Sequence, residues 1–322
     1  MKKYLIVVFT FMISVCCAQF APAAGEIGST AIYKDSSVFI NWAVSCSVQR
    51  GLMNIAIPDS GYVYSGDSTL AIGKALENGV VSLGDGGSAT CTFSFPISNG
   101  PGYDFAVFEN SFTNNFLELA FVEVSSNGSD FFRFNSTSLT DTTNQLGPFD
   151  FIDPTKINNL AGKYRLGYGT PFDLQELAGI DSLNIYRITH VRIIDVVGSM
   201  DDIYASRDNE GRKINDPWPT QFFTGGFDLD AIGVMYQDNP QSVLKTFQNK
   251  ILVFPNPLKH DQKLTIVSNE KINNFKVIDV FGRELLSGND ISTIEFDFLP
   301  GNYFFKIYTH QTSETHKLVI IP

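Results

Sequence analysis

Short apolar-rich runs, each closed by turn-forming residues, constrain this chain more than any other feature. They fall at residues 89–95, 105–109, 117–125, 131–134, 188–197 and 229–235. Between them stand Gly84-Asp85-Gly86-Gly87, Asn99-Gly100-Pro101-Gly102 and Asn127-Gly128. Glycine supplies positive φ without steric cost and proline fixes φ, so such clusters end a pleated segment. Several runs alternate. Phe121, Glu123 and Ser125 share one side of a strand, and Val122 and Val124 the other. Asn127-Gly128, set between two strand-like runs, predicts a hairpin. Helical pattern is weak and confined to 68–77 and 172–177. The 28 Phe agree, since aromatic and β-branched residues favour pleated, half-buried surfaces. The expected fold is all-β: a jelly-roll-like β-sandwich over residues 29–236, then a small C-terminal β-sandwich over 252–322. Residues 19–28 would lead into the first, and 237–251 would link the two.

The N-terminus carries an export pattern. Lys2 and Lys3 precede an apolar run over residues 4–15, the length of a signal-peptide core and too short to span a membrane comfortably. Residues 1–18 are therefore read as a signal peptide, cleaved between Ala18 and Gln19. Cys16 and Cys17 would suit a lipoprotein, but Val15 stands where lipoprotein processing prefers a small residue. No later segment is apolar enough to cross a membrane. Removing the signal leaves Cys46 and Cys91 in a chain whose exported state permits a disulfide. Their spacing leaves a Cys46–Cys91 disulfide and two buried thiols both open.

Charge divides the chain and bounds its partners. Residues 19–249 hold 13 Lys and Arg against 26 Asp and Glu, whereas residues 250–322 hold eight of each. The shift agrees with a boundary at the polar stretch around Asp238-Asn239-Pro240. A formal net charge of −11 repels a phosphate backbone and argues against nucleic-acid binding. It suits cations and neutral ligands.

The tail reads as further short strands at 263–267, 275–279, 293–296, 303–308 and 317–321. Phe254-Pro255-Asn256-Pro257 opens it, Ile278-Asp279-Val280-Phe281-Gly282-Arg283 follows, then Leu299-Pro300-Gly301-Asn302-Tyr303-Phe304-Phe305-Lys306, and Lys317-Leu318-Val319-Ile320 closes it. In this order and spacing the segment resembles the type A sorting domain of the type IX secretion system of Bacteroidetes. The resemblance implies that residues 252–322 engage the type IX machinery and that the product is secreted or held on the outer cell surface. Asn302 stands where that family often has a small residue or Val. Independently of any family, prolines on both sides of Asn256 fix φ and withhold strand hydrogen bonds, which stiffens the start of the domain.

In the main region, Val122-Glu123-Val124-Ser125-Ser126-Asn127-Gly128 followed by Phe131-Phe132-Arg133-Phe134 resembles a hairpin of discoidin-like carbohydrate-binding jelly rolls. His190-Val191-Arg192-Ile193 resembles their later core strand. With Asp104-Phe105-Ala106-Val107-Phe108-Glu109-Asn110 and Gly226-Phe227-Asp228-Leu229-Asp230-Ala231-Ile232, the region is similar to a family of Bacteroidetes surface proteins, some linked to vitamin B12 uptake. The resemblance implies a non-enzymatic binding module with a glycan as ligand. A cobalamin-binding accessory protein is the alternative within the same class.

Catalytic patterns are sparse. His190 is the one histidine of the main region and lies in an alternating run, so it reads as a strand residue. One His and no CxxC spacing do not build a zinc site, and no Gly-x-Ser-x-Gly elbow is present. An extracellular glycan hydrolase needs only two spaced carboxylates and leaves no local motif, so it stays open. Asp104, Glu109, Asp228 and Asp230 each sit in or beside an apolar run, where an unpaired carboxylate is costly. A structural calcium is one natural partner; capping of turns and backbone amides is the other. Residues 201–220 form the longest loop-like segment, with Trp218 held between Pro217 and Pro219. Trp218 would stack on a ligand or plug the sandwich, Asp216 and Asn215 would supply polar contacts, and Phe222 and Phe223 would pack beneath.

Overall fold

A computed structural model describes residues 20–238, 251–259, 262–268, 270–289, 298–310 and 313–322. The expected signal peptide, most of the expected linker and the expected strand at 293–296 lie outside the described residues. The chain divides into two compact units at Asp238/Asn239.

In chain order the first unit contributes β1 (Ile32–Tyr33), β2 (Asn41–Trp42), β3 (Ser45–Gln49), β4 (Val81–Ser82), β5 (Ser88–Ile97), β6 (Phe105–Glu109), β7 (Ala120–Ser125), β8 (Phe132–Arg133), β9 (Thr137–Ser138), β10 (Ile157–Asn158), β11 (Tyr168–Phe172), β12 (Ile188–Asp195) and β13 (Asp228–Val234). One sheet runs β1-β11-β6-β13-β2, with β4 also on β13; the other runs β3-β5-β12-β7-β8. Every pairing in both is antiparallel. The long strands β5, β6, β7, β11, β12 and β13 alternate between the sheets, so each connection crosses the sandwich in jelly-roll fashion.

Period-two patterning explains why the layers close. Phe105 and Val107 of the first sheet meet Val122, Val124, Val191 and Ile193 of the second in one buried core. Ala106 and Phe108 point the other way, into a smaller cluster with Phe39 and Trp42. Phe105 stacks on Phe172 with ring centroids 5.4 Å apart, and Phe134 closes on both. On the outer face of β7, Glu123 takes Arg133 and Arg192, and those guanidiniums lie 4.0 Å above Phe121 and 3.8 Å above Phe131. The Asn127-Gly128 hairpin is present: Asn127 Oδ1 accepts the Ser129 and Asp130 amides, and Gly128 takes φ 79°. His190 is a half-buried strand residue whose ring lies where a side chain at Gly128 would go.

Two expectations shift. Residues 20–28 are more than a leader, for Ala23 and Ala24 are buried and the Phe20 amide donates to the Thr155 carbonyl. The weak helical stretches become turns, plus a single 3-10 turn at Leu174–Leu177.

The second unit holds β14 (Leu252–Phe254), β15 (Leu258–Lys259), β16 (Thr265–Val267), β17 (Ile272–Asp279), β18 (Glu284–Gly288), β19 (Gly301–Thr309) and β20 (Ser313–Ile321). A five-stranded sheet, β15-β20-β19-β17-β18, accompanies the β14-β16 pair around Ile251, Leu258, Phe275, Val277, Phe305, Ile307, Leu318 and Ile320. Pro255-Asn256-Pro257 joins β14 to β15, and Asn256 pins the last strand by accepting the Val319 amide and donating to the Lys317 carbonyl. Asp279 organises the Phe281-Gly282-Arg283 turn through both backbone amides and the Arg283 side chain.

Candidate ligand-binding site

One end of the sandwich collects acids. Glu109 closes β6 on the same side as Phe105 and Val107, and it is fully buried. Ser111 donates its amide and hydroxyl to Glu109 Oε2, while Oε1 has no partner. Asp228 opens β13, next to Ser82 of β4, and takes the Asn110 side chain on Oδ2. Its Oδ1 accepts no hydrogen bond, although the Ser82 hydroxyl lies near enough to favour the charged carboxylate. Glu118, half-buried just before β7, takes no hydrogen bond from any described residue. Leu117 and Leu119 on either side of it are fully buried, which fixes where the acid points.

Burial and crowding keep these acids protonated unusually far up the pH scale. Burial pushes Glu109 up to about 8, with Ser111 pulling back and the Asp228 charge adding to the rise. Asp228 rises to about 6 for the same first reason, held down by Ser82, Asn110 and the nearby Arg50. Glu118 is pushed well up by burial and then by the charges of Glu109, Asp228, Asp216 and Asp195. Arg50 itself is spent on the carbonyls of Ser65, Ser82 and Gly66.

Above Glu118 and Asp228 opens a cavity of about 570 Å³. Its walls are aromatic: Phe112, Phe116, Phe149, Phe151 and Phe222, with Asn110 and Thr220 among the polar lining. Phe112, Phe149, Phe151 and Phe222 are exposed, so the rings stand at the rim and the buried Asp228 lies at the bottom. Phe149 and Phe222 lean together at 5.8 Å. These groups come from four separate stretches of chain, around residues 110–118, 148–151, 220–225 and 228.

The structure separates the four acids that sequence singled out. It brings Glu109 and Asp228 together. Asp104, just before β6, instead accepts the Gly100 and Leu174 amides, and Asp230 accepts the Leu76 amide. A register shift between Leu229 and Ala231 breaks the strict alternation that would have set Asp228 and Asp230 side by side. Among the described residues no three His, Cys, Asp or Glu side chains are grouped to hold a metal ion, so a calcium shared by all four acids does not fit this geometry.

The 201–220 segment is also corrected. Asn215 is buried, donating to the Asp141 and Asn144 carbonyls and accepting the Leu146 amide. Asp216 is buried and accepts the Leu119 amide. Both side chains are used up in holding loops together. Trp218 is half-buried and donates its indole N–H to Asp85 at 2.9 Å. Phe222 and Phe223 turn away from it: the first lines the cavity and the second stacks on Tyr64 at 5.3 Å. Cys46 and Cys91 are thiols that face each other as direct partners on β3 and β5. Sequence reasoning missed Glu118 and the Phe rim. The one local signal was an acid between two leucines inside an apolar run.

No curated protein matches the sequence. Among solved structures, PorZ, an essential bacterial surface component of the type-IX secretion system of Porphyromonas gingivalis, is similar at 18% identity over 29% of this chain and 14% of its own, with a TM-score of 0.20, a level that bears no weight for fold or function. Among the described residues no helix is long and apolar enough to cross a membrane. Residues 252–321 match the family of secretion system C-terminal sorting domains. That domain marks the chain for export by type IX secretion, to the medium or the outer cell surface.

Proposed function

We propose that the exported chain is a non-enzymatic binding protein whose cavity takes an extracellular saccharide. One observation supports this above others: aromatic faces at the rim of a cavity of about 570 Å³, with carboxyl groups at its base. A sugar presents an apolar C–H face and an edge of hydroxyl donors. Phe rings receive the first, and the carboxyl groups lining the cavity, Glu118 foremost, accept from the second. A glycan screen with the purified chain, followed by titration calorimetry, tests it. Phe149→Ala and Phe222→Ala should each weaken binding by about 1–2 kcal/mol, as stacking anchors do. Unchanged affinity in both would remove the cavity from consideration.

A second reading, an extracellular glycan hydrolase, draws on one feature: Glu118 and Asp228 line the same cavity and burial raises both pKa values, Asp228 to about 6 and Glu118 well above its ordinary value. Release of reducing ends from a polysaccharide panel, lost in Glu118→Gln, would select it. The cobalamin alternative rests on resemblance alone and belongs in the same binding screen.

A further inference from the structure

We infer that the cavity recognises a cationic group, specifically an alkylammonium, at its acidic base. This rests on reading the cavity as the ligand site and adds the chemistry of what enters it. On the outer face of the second sheet the protein shows how it satisfies such surroundings itself. There Glu123 and the rings of Phe121 and Phe131 share the guanidiniums of Arg133 and Arg192. Carboxylate, ring and cation form a closed set. The cavity repeats the first two members: Glu118 and Asp228 with the faces of Phe112, Phe149 and Phe222. The third member is missing, because no Lys or Arg is among the residues lining it.

A second observation points the same way. Asp228 is 7% exposed, lines the cavity, and leaves Oδ1 without a partner. Behind it Glu109 Oε1 is unpartnered too. Both oxygens are sealed from solvent, so a cation in the cavity acts on them by opposite charge through the cavity wall rather than by donating a hydrogen bond, and a quaternary ammonium serves as well as a primary one. A metal ion would need several oxygens converging on one point, which the described residues do not provide. An ammonium bears on ring faces and separate carboxylates without that convergence.

Binding should therefore displace protons. The groups facing the base are Glu109, Glu118 and Asp228, with Asp195 and Asp216 behind Glu118 and Arg50 beside Asp228. As pH rises, Asp228 ionises near 6 and Glu109 near 8, and each step strengthens attraction for a cation.

The test uses the purified full chain and four probes: choline, its neutral isostere 3,3-dimethylbutan-1-ol, a glucosamine tetramer and cellotetraose. Affinities are measured from pH 5 to pH 9. Choline should bind at least about tenfold tighter than the isostere at pH 8, and its affinity should climb with pH while the isostere stays flat. Glu118→Gln and Asp228→Asn should reduce that preference with the melting temperature preserved. The glucosamine tetramer binding where choline does not would place the ammonium on a sugar; choline alone would place it on a small ligand or headgroup. Equal binding of choline and isostere, or binding of cellotetraose without either ammonium probe, overturns the inference while leaving a ligand cavity. Stabilisation by calcium with no response to ammonium also overturns it. Failure of all four probes removes the cation inference; whether the cavity still binds saccharide is then decided by the glycan screen, with the Phe149 and Phe222 variants measured on any glycan it finds.

Discussion

The two units differ in how many acids they bury and in whether those acids are fully engaged. In the main unit Asp85, Asp104, Glu109, Glu123, Asp195, Asp208, Asp216, Asp228 and Asp230 are buried, Glu123 and Asp208 paired with arginines, and the surrounding sequence is strongly acidic. Among the described tail residues Asp279 is the buried acid, and it is fully engaged by its own turn. Lys and Arg balance Asp and Glu there. A domain that serves as an address must hold a surface for the export machinery, and buried charge adds nothing to that. A domain that receives a ligand can leave acceptors unpaired until the ligand arrives. Most buried acids of the main unit clasp loops through backbone amides. Glu109 and Asp228 each keep an oxygen without a hydrogen-bond partner, and the half-buried Glu118 takes no hydrogen bond from any described residue.

The largest test of this division is removal of residues 252–322. Export to the medium or outer surface should be lost, with the main unit accumulating folded behind the outer membrane. Comparable amounts of truncated and full-length protein outside the cell would contradict it.

Next in size is the cysteine pair. Cys46 and Cys91 face each other in register, and export takes them to an oxidising exterior. We expect a disulfide in the secreted protein, so that free-thiol labelling of secreted material is negligible before reduction. Reduction should then cost roughly 4 kcal/mol of stability by loop entropy. Full labelling without a reductant would leave them as thiols.

A third test uses pH. Burial raises Glu109 to about 8, so the folded protein keeps a proton that the unfolded chain has released. Its contribution is full below about pH 4.5, falls as pH climbs from there toward 8, and is lost above. Glu109→Gln should flatten the stability profile across that window and stabilise the protein at pH 8 by about 4 kcal/mol, the linkage cost of that shift. An unchanged profile would mean that Glu109 is ordinarily ionised.

Smallest is Trp218→Ala. Losing a half-buried ring and its hydrogen bond to Asp85 should lower stability by about 1–2 kcal/mol. Ligand affinity should stay the same. A selective loss of affinity would return the 201–220 loop to the role first expected of it.

Much of the fold was legible. The 117–125 and 131–134 runs around Asn127-Gly128 became β7 and β8, and the alternation of Phe121 to Ser125 held. The tail was readable because its motifs are local: Pro255-Asn256-Pro257 and Phe281-Gly282-Arg283 act through neighbours in sequence. The site was far less so. Asn110, Glu118, Phe149 and Phe222 meet only because successive strands cross the sandwich, and no spacing records that. Trp218 misled because prolines on both sides suggest a rigid platform, whereas its N–H reaches 133 residues back to Asp85. Asp228 and Asp230 misled because a strand irregularity lies between them.

Hydrogen–deuterium exchange of the full chain, with and without a ligand found by the binding screen, tests the cavity most directly. Protection should appear in peptides covering 110–118, 148–151 and 220–228, and the tail should not respond. Protection confined to 201–218, with the cavity peptides unchanged, would contradict the assignment.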